Sequence, residues 1–285
     1  MDDIFMQKWD SPFPRAIQLE TTSICNSYCE FCPYDETSKL FPKTYMNTVL
    51  FDNIVNQLVQ FQPQMIALYM NNEPLFDKRI FSRIKILRDK IPDVYLDFST
   101  NGSILDPNIR APALASSSID EVKINFPSTD KEEYERLTKM NYDVVLNNII
   151  NFHNIAQDKG FLGRYRIIIV GSEHPDRDTE FWNNLEISSK VYSKISRGSI
   201  IPSNFEPKDL INDCRFNRQN EWMHILSSGE VVLCCMDWYH NQILGNLNNQ
   251  SISQVWTGEK YQQVRNKIKN STDKNFICNK CEWGI

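Results

Sequence analysis

The chain has 285 residues, a formal net charge of −5 and 41% hydrophobic residues, enough to bury a substantial core as one large domain or as a large domain with a smaller appendage. Lysine and arginine are scattered among the acids without a basic stripe, so no nucleic-acid partner is expected. The opening MDDIFMQKWD lacks the cationic and apolar regions of a signal peptide and no apolar run approaches the ~20 residues of a membrane span, so a cytoplasmic protein without a membrane partner is expected.

Residues 16–20 (AIQLE) read as a short strand that ends in a cysteine-rich loop, and residues 48–61 show helical spacing through Val49, Leu50, Ile54, Leu58 and Phe61. The unit recurs. Residues 65–70 (MIALYM) precede a helix over 80–87, residues 94–98 (VYLDF) precede the segment after Asp106, and residues 122–126 precede helices starting from Asp130 and Asp143. Residues 166–170 (RIIIV) lead to a helix over 178–191, and a last run reaches Ile201. Six such alternations predict parallel strands with helical crossovers, in an open sheet or a barrel whose post-strand loops carry the chemistry.

The alternation stops at Ser203, and a domain boundary is expected near residues 204–208, dividing the chain into 1–205 and 206–285. The second part holds five of the eight cysteines, a hairpin signal at Ser227-Ser228-Gly229 and a polar helix over 261–268. In a reducing compartment eight cysteines point to metal or redox chemistry rather than disulfides.

Cys25, Cys29 and Cys32, spaced CxxxCxxC in the loop after the first strand, fit a structural zinc poorly, because zinc normally takes four N or S ligands, often as two CxxC-like pairs. Three thiolates can instead hold a four-iron cluster with one iron left for a non-protein ligand. This spacing, with Phe31 just before Cys32, resembles the radical S-adenosylmethionine superfamily. The resemblance implies an α/β fold built as a partial (β/α)6 TIM-like barrel, a [4Fe-4S] cluster on the three thiols, and S-adenosylmethionine chelated to the open iron. It further implies reductive cleavage to a 5'-deoxyadenosyl radical that abstracts hydrogen from the substrate, with electrons from a flavodoxin or ferredoxin-type donor.

Three further segments are similar to the family's cofactor contacts. Asn71-Asn72-Glu73-Pro74 stands where the family has Gly-Gly-Glu, so Asn72 and Glu73 are candidates for the methionyl end, while helix capping ahead of Leu75 is the plain structural alternative for Glu73. Ser99, Thr100 and Asn101, before Gly102, resemble the segment near the ribose, against the alternative of a simple Asn-Gly turn. Asn125, at the end of the fourth strand, is a further candidate contact.

Cys214, Cys234, Cys278 and Cys281 resemble the ligands of the SPASM/twitch extensions of this superfamily, with Gly245-Asn246 and a helix through Trp256 between them. An auxiliary [4Fe-4S] cluster is expected there in the shorter twitch form, and zinc remains the rival for four thiolates ending in CxxC. Cys235 is left over. If residues 230–235 form a strand, Cys234 and Cys235 face opposite sides; Cys235 is then a core thiol or a hydrogen-atom donor, as in certain radical epimerases. Arg197 is placed at the end of the sixth strand, where a forked cation could meet a substrate hydroxyl or anionic group. Arg166 and His224 carry little information in sequence.

The expected reaction is hydrogen abstraction from a carbinol carbon of a small hydroxylated substrate, a sugar or an aminocyclitol, giving oxidation or epimerisation. With the first strand starting near Ala16 there is no room for a leader-recognition domain before it, which weighs against a peptide substrate unless a separate recognition protein serves. A zinc-stabilised, non-catalytic binding module is the remaining alternative.

Overall fold

The computed structural model describes residues 12–285, so the reading of the amino-terminal MDDIFMQKWD lies outside the described residues. Strand β1 (Ala16–Leu19) leads through the cysteine loop to α1 (Tyr34–Thr37) and α2 (Thr48–Phe61). Next come β2 (Met65–Ala67), α3 (Ile80–Lys90), β3 (Tyr95–Thr100), α4 (Arg110–Ala115) and β4 (Glu121–Asn125). Helices α5 (Lys131–Thr138) and α6 (Tyr142–Asp158) follow, then β5 (Tyr165–Val170), α7 (Pro175–Asn184) and β6 (Ser189–Tyr192). Beyond residue 205 lie α8 (Arg218–Glu221), β7 (Trp222–Ile225), β8 (Glu230–Val232), β9 (Ile243–Asn246), α9 (Ile252–Trp256) and α10 (Glu259–Ile268).

Helix starts follow local chemistry: Asn47, Asp130 and Asn141 each accept a hydrogen bond from the backbone three residues on, capping α2, α5 and α6. Ser251 and Gln254 form a reciprocal capping box on α9. Within α2 the buried face is Leu50, Phe51, Ile54, Val55 and Leu58, whereas Val49 is 70% exposed and Phe61 turns to stack on Phe13 at 3.9 Å.

Among the described residues all nine strands form one sheet, in the order β6-β5-β4-β3-β2-β1-β7-β8-β9. Strands β1 to β6 are parallel to their neighbours, and β7 joins β1 in parallel through Gln18 opposite His224. The predicted hairpin forms: β7 and β8 pair antiparallel around Gly229, whose φ of +91° suits glycine. The extension therefore continues the sheet of the first unit.

One face of the sheet buries Ile17, Leu19, Ile66, Leu96, Phe98, Val122, Ile124, Ile167 and Ile169 in a single core with the helices. The opposite face carries Gln18, Asp97, Glu121 and Lys123, which register places side by side on β1, β3 and β4. A parallel sheet clad by helices on one side and polar on the other is the layout of an incomplete barrel, its uncovered face forming the interior.

The helix placed over 178–191 starts at Pro175 and ends at Asn184; residues 189–192 are the sixth strand, and the run toward Ile201 is turn. The misreading has a physical cause: β6 is an edge strand with three of four residues exposed, so it lacks the apolar signature of a buried parallel strand. Arg197 therefore lies in a loop beyond the sixth strand, in the left-handed region at φ +53°. Strand β8 stops at Val232, so pleat alternation does not govern Cys234 and Cys235.

Strand β1 lies inside the sheet, between β2 and β7, and is buried throughout. Leu19→Ala should lower unfolding free energy by about 2–5 kcal/mol through lost burial and the cavity left behind. A urea melt of the variant beside the parent chain measures it; a change under half a kcal/mol would contradict this placement.

Candidate active site

The cysteine loop is pinned by its own backbone. Cys25 N–H donates to Tyr34 Oη (2.7 Å), Cys32 N–H to Cys29 O (3.0 Å), and Glu30 N–H to Leu137 O at the end of α5 (2.9 Å). Ser27 Oγ donates to Thr138 O and contacts Cys29 Sγ at 2.8 Å. Burial pushes all three thiols up, Cys29 to about 12, and the thiolates repel one another, while Arg197 pulls Cys29 and Cys32 down. Three half-buried thiols that resist ionisation together are a donor set that a cationic iron core would satisfy.

Arg197 Nε donates to Phe31 O (3.4 Å). Its neighbour Ser196 gives its N–H to Glu282, and a Cβ on Gly198 would lie 2.5 Å from Ile277 Cδ1, so residues 196–198 clamp the cysteine loop to the extension.

Glu73 is buried and fills the capping role: Leu75 N–H and Thr100 Oγ1 donate to its Oε1 (3.1 and 2.8 Å), and Asn101 N–H to its Oε2 (2.6 Å). Burial raises this carboxyl to about 7 against those donors. One carboxylate thus ties the loop after β2 to the loop after β3. Asn101 Nδ2 in turn donates to Asn26 Oδ1 (3.0 Å) and approaches Cys25 Sγ at 3.9 Å, and Asn125 Nδ2 donates to Ser99 Oγ (3.0 Å). The predicted segments around Phe31, Glu73, Ser99–Asn101 and Asn125 are therefore linked at one end of the sheet. Asn72 accepts from Met70 N–H through Oδ1 (2.9 Å), leaving its buried Nδ2, and Asn71 Oδ1, without chain partners. An orphan donor and an orphan acceptor on consecutive residues suit a zwitterionic amino-acid group such as the methionyl end of S-adenosylmethionine.

In the extension, Cys214, Cys234, Cys278 and Cys281 line one recess of about 410 Å³, together with Arg218, Met236, Ile277 and Trp283. Met236 N–H points at Cys234 Sγ (3.2 Å). Cys235 does not line this recess; it contacts His224, and its charge reaches Tyr69. The hydrogen bond shared with Cys234, and the Arg218 and His224 charges, pull Cys235 down against burial, while the same hydrogen bond and burial push Cys234 up. Among the described residues no three His, Cys, Asp or Glu side chains meet closely enough for a single metal ion; a four-iron cluster is a larger body whose thiolates stand further apart.

The sequence reading missed the polar network on the interior face. Lys123 Nζ and Tyr69 Oη both donate to Asp97 Oδ2 (2.6 and 2.8 Å), Arg166 Nε pairs with Glu121 Oε1 (2.6 Å), and Tyr95 Oη reaches Glu121 Oε2 (3.3 Å). Its signal was present: YLDFST and EVKIN place a polar residue at every second position, the period of a strand with one polar face.

A second recess, of about 400 Å³, lies between α1, Lys43, Asn71 and Trp238, with Glu20 in its wall. Glu20 Oε1 accepts from Ser227 N–H and Oγ (3.2 and 2.9 Å), and burial raises this carboxyl from 4.5 to about 7.

Comparison with known proteins adds the following. The Radical SAM superfamily model matches residues 19–182, and the SPASM model, described as an iron-sulfur cluster-binding domain, matches residues 214–282. The S-adenosyl-L-methionine-dependent 2-deoxy-scyllo-inosamine dehydrogenase of Niallia circulans is 21% identical over 267 residues, spanning 93% of this chain and 91% of its own. The crystal structure of BtrN in complex with AdoMet and 2-DOIA superposes with a TM-score of 0.64 at 18% identity, covering 92% of this chain and 89% of that one. Streptococcus suis SuiB bound to precursor peptide SuiA gives 0.69 at 14% identity, over 92% and 71% of the two chains.

A carboxyl that binds its proton more tightly when folded costs stability as pH rises from its unfolded value to its folded one. For Glu20 that window runs from about 4.5 to about 7, at about 1.4 kcal/mol per unit, so about 3 kcal/mol across it. Glu20→Gln should remove this share of the decline, measured as urea midpoints between pH 4.5 and 8; an unchanged slope would refute the assignment.

Proposed function

This chain belongs to the radical S-adenosylmethionine superfamily, and on that premise we propose that it oxidises a carbinol carbon of a small polyhydroxylated or aminocyclitol substrate to the ketone. It is an enzyme of that superfamily, with S-adenosylmethionine and a [4Fe-4S] cluster as cofactors and auxiliary iron-sulfur in the SPASM region. The observation that carries the substrate class is the near end-to-end match to an aminocyclitol dehydrogenase, 93% of this chain against 91% of the other. The likeness to a peptide-bound relative speaks for the fold alone.

Cys25, Cys29 and Cys32 would hold the first cluster, and Asn72 Nδ2 with the Asn71 carbonyl oxygen of its side chain would meet the methionyl end. Ser99, Thr100, Asn101 and Asn125 form the adjoining hydrogen-bonding rim, kept in place by Glu73. When bound, cluster and cofactor supply a carbon radical able to take a hydrogen atom from a C–H bond. Oxidation of a carbinol removes that hydrogen atom, the hydroxyl proton and one electron, and leaves a C=O bond. Cys214, Cys234, Cys278 and Cys281 are the residues the chain offers around a place for that electron. The network of Tyr69, Asp97, Lys123, Glu121 and Arg166 presents both donors and acceptors to an array of hydroxyl or amino groups. The zone from Phe31 to Arg197 closes the site on the extension side. A reduced flavodoxin or ferredoxin would deliver electrons, in a reducing compartment; among the described residues no helix is long and apolar enough to cross a membrane.

Epimerisation is the second reading, favoured by one observation: Cys235 is not among the residues lining the thiol-lined recess and lies beside His224, within electrostatic reach of Tyr69. A thiol there could return hydrogen to the opposite face of the carbon. Anaerobic, reduced holoenzyme with S-adenosylmethionine and 2-deoxy-scyllo-inosamine in deuterated buffer separates the two. Oxidation gives a product lighter by two hydrogens and survives Cys235→Ala. A product of unchanged composition carrying one deuterium, lost in Cys235→Ala, would replace oxidation with inversion; turnover of a peptide but of no polyol would remove both.

The thiol roles have their own measurement. Cys25→Ala should lower iron and sulfide by about half while sparing the second cluster, because each set holds a four-iron unit. Retention of full iron in the variant would contradict that division.

A further inference from the structure

We propose that Arg218 is the built-in counter-cation of the auxiliary cluster, and that its charge makes that cluster easier to reduce. This rests on the reading of Cys214, Cys234, Cys278 and Cys281 as cluster ligands. Arg218 lines the same recess as those four thiols and opens α8, four residues beyond Cys214. Its guanidinium is walled by aromatic faces: Trp283 at 5.2 Å, Trp222 at 5.4 Å and Phe216 at 5.7 Å. Such faces attract and orient a cation without neutralising it.

The two buried arginines have carboxylate partners. Arg83 Nε lies 3.3 Å from Asp77 and Arg15 3.5 Å from Glu221. Among the described residues no carboxylate forms an ion pair with Arg218; its Nη1 stands 3.5 Å from His224 Nε2, and its buried Nε has no hydrogen-bond partner. A guanidinium does not shed its proton under physiological conditions, so the positive charge persists in this recess and needs an anion. The thiols beside it supply that anion once they hold iron: a cubane on four thiolates is dianionic when oxidised and carries one more negative charge when reduced. A fixed cation stabilises the more negative form more, which raises the reduction potential. The event concerned moves one electron and neither makes nor breaks a bond. Arg218 is on this account a tuning residue and touches no substrate.

The test uses the full chain with Cys25, Cys29 and Cys32 all replaced by alanine, so that only the auxiliary cluster is loaded. Dithionite titration followed by electron paramagnetic resonance gives its midpoint potential, and iron and sulfide analysis gives its occupancy. Arg218→Gln should shift the one-electron equilibrium about tenfold toward the oxidised cluster, ~59 mV lower in midpoint, while Arg218→Lys keeps most of the parent value. A Gln variant with full iron and the parent potential overturns the proposal. Should Arg218→Gln fail to assemble a cluster, assembly in Arg218→Lys supports a requirement for charge, and failure in both overturns it in favour of a packing role. A parent extension that holds zinc and no sulfide would instead sink the cluster reading on which the proposal stands, an outcome that metal analysis distinguishes.

Discussion

Two-sided pairing of a single four-residue strand holds this molecule together. Ala16–Leu19 bonds in parallel to β2 on one flank and to β7 on the other. Ile17 and Leu19 anchor it in the helical core, while Gln18 looks the other way. The cysteine loop springs from its end, and the extension enters the sheet along its far flank, so both thiol sets hang from one short segment. Glu20, the next residue, reinforces the junction by accepting from Ser227 in the β7–β8 turn. Movement of β1 would shift both sets.

The site around this strand is assembled mostly by chain-to-chain hydrogen bonds that leave a few atoms unclaimed. Glu73 spends both carboxylate oxygens on neighbouring loops, yet Asn71 and Asn72 each keep a buried polar atom without a partner. Interiors tolerate such omissions where a ligand completes the network. The interior face follows the opposite logic: Asp97 and Glu121 are each matched by a cation, so that face is polar but nearly balanced in charge.

The cysteine spacings, the run of parallel strands and the hairpin were legible because each rests on local pattern: ligand intervals, apolar periodicity and turn chemistry. Thr100, Asn101 and Glu73 were found through the same kind of motif, although the hydrogen bonds by which Glu73 holds the other two emerged only from tertiary contact. What sequence could not supply depends on long-range pairing. Nothing in residues 222–225 announces that they will dock beside residues 16–19. The exposed sixth strand escaped notice because edge burial is weak, and Arg197 was consequently placed on a strand it does not belong to. Arg166 and His224 gained significance only when the tertiary structure set them beside Glu121 and Cys235.

A sheet that never closes on itself retains two rims, β6 and β9, and unpaired rims invite association with other chains. Here both are only four residues long. The β6 rim carries Lys190, whose ammonium lies 5.2 Å from the Tyr192 ring, and Lys260 Nζ reaches the Ile243 carbonyl on the β9 rim at 3.4 Å. Short borders guarded by lysine are poor templates for adding a foreign strand. The open architecture thereby carries its own protection against aggregation.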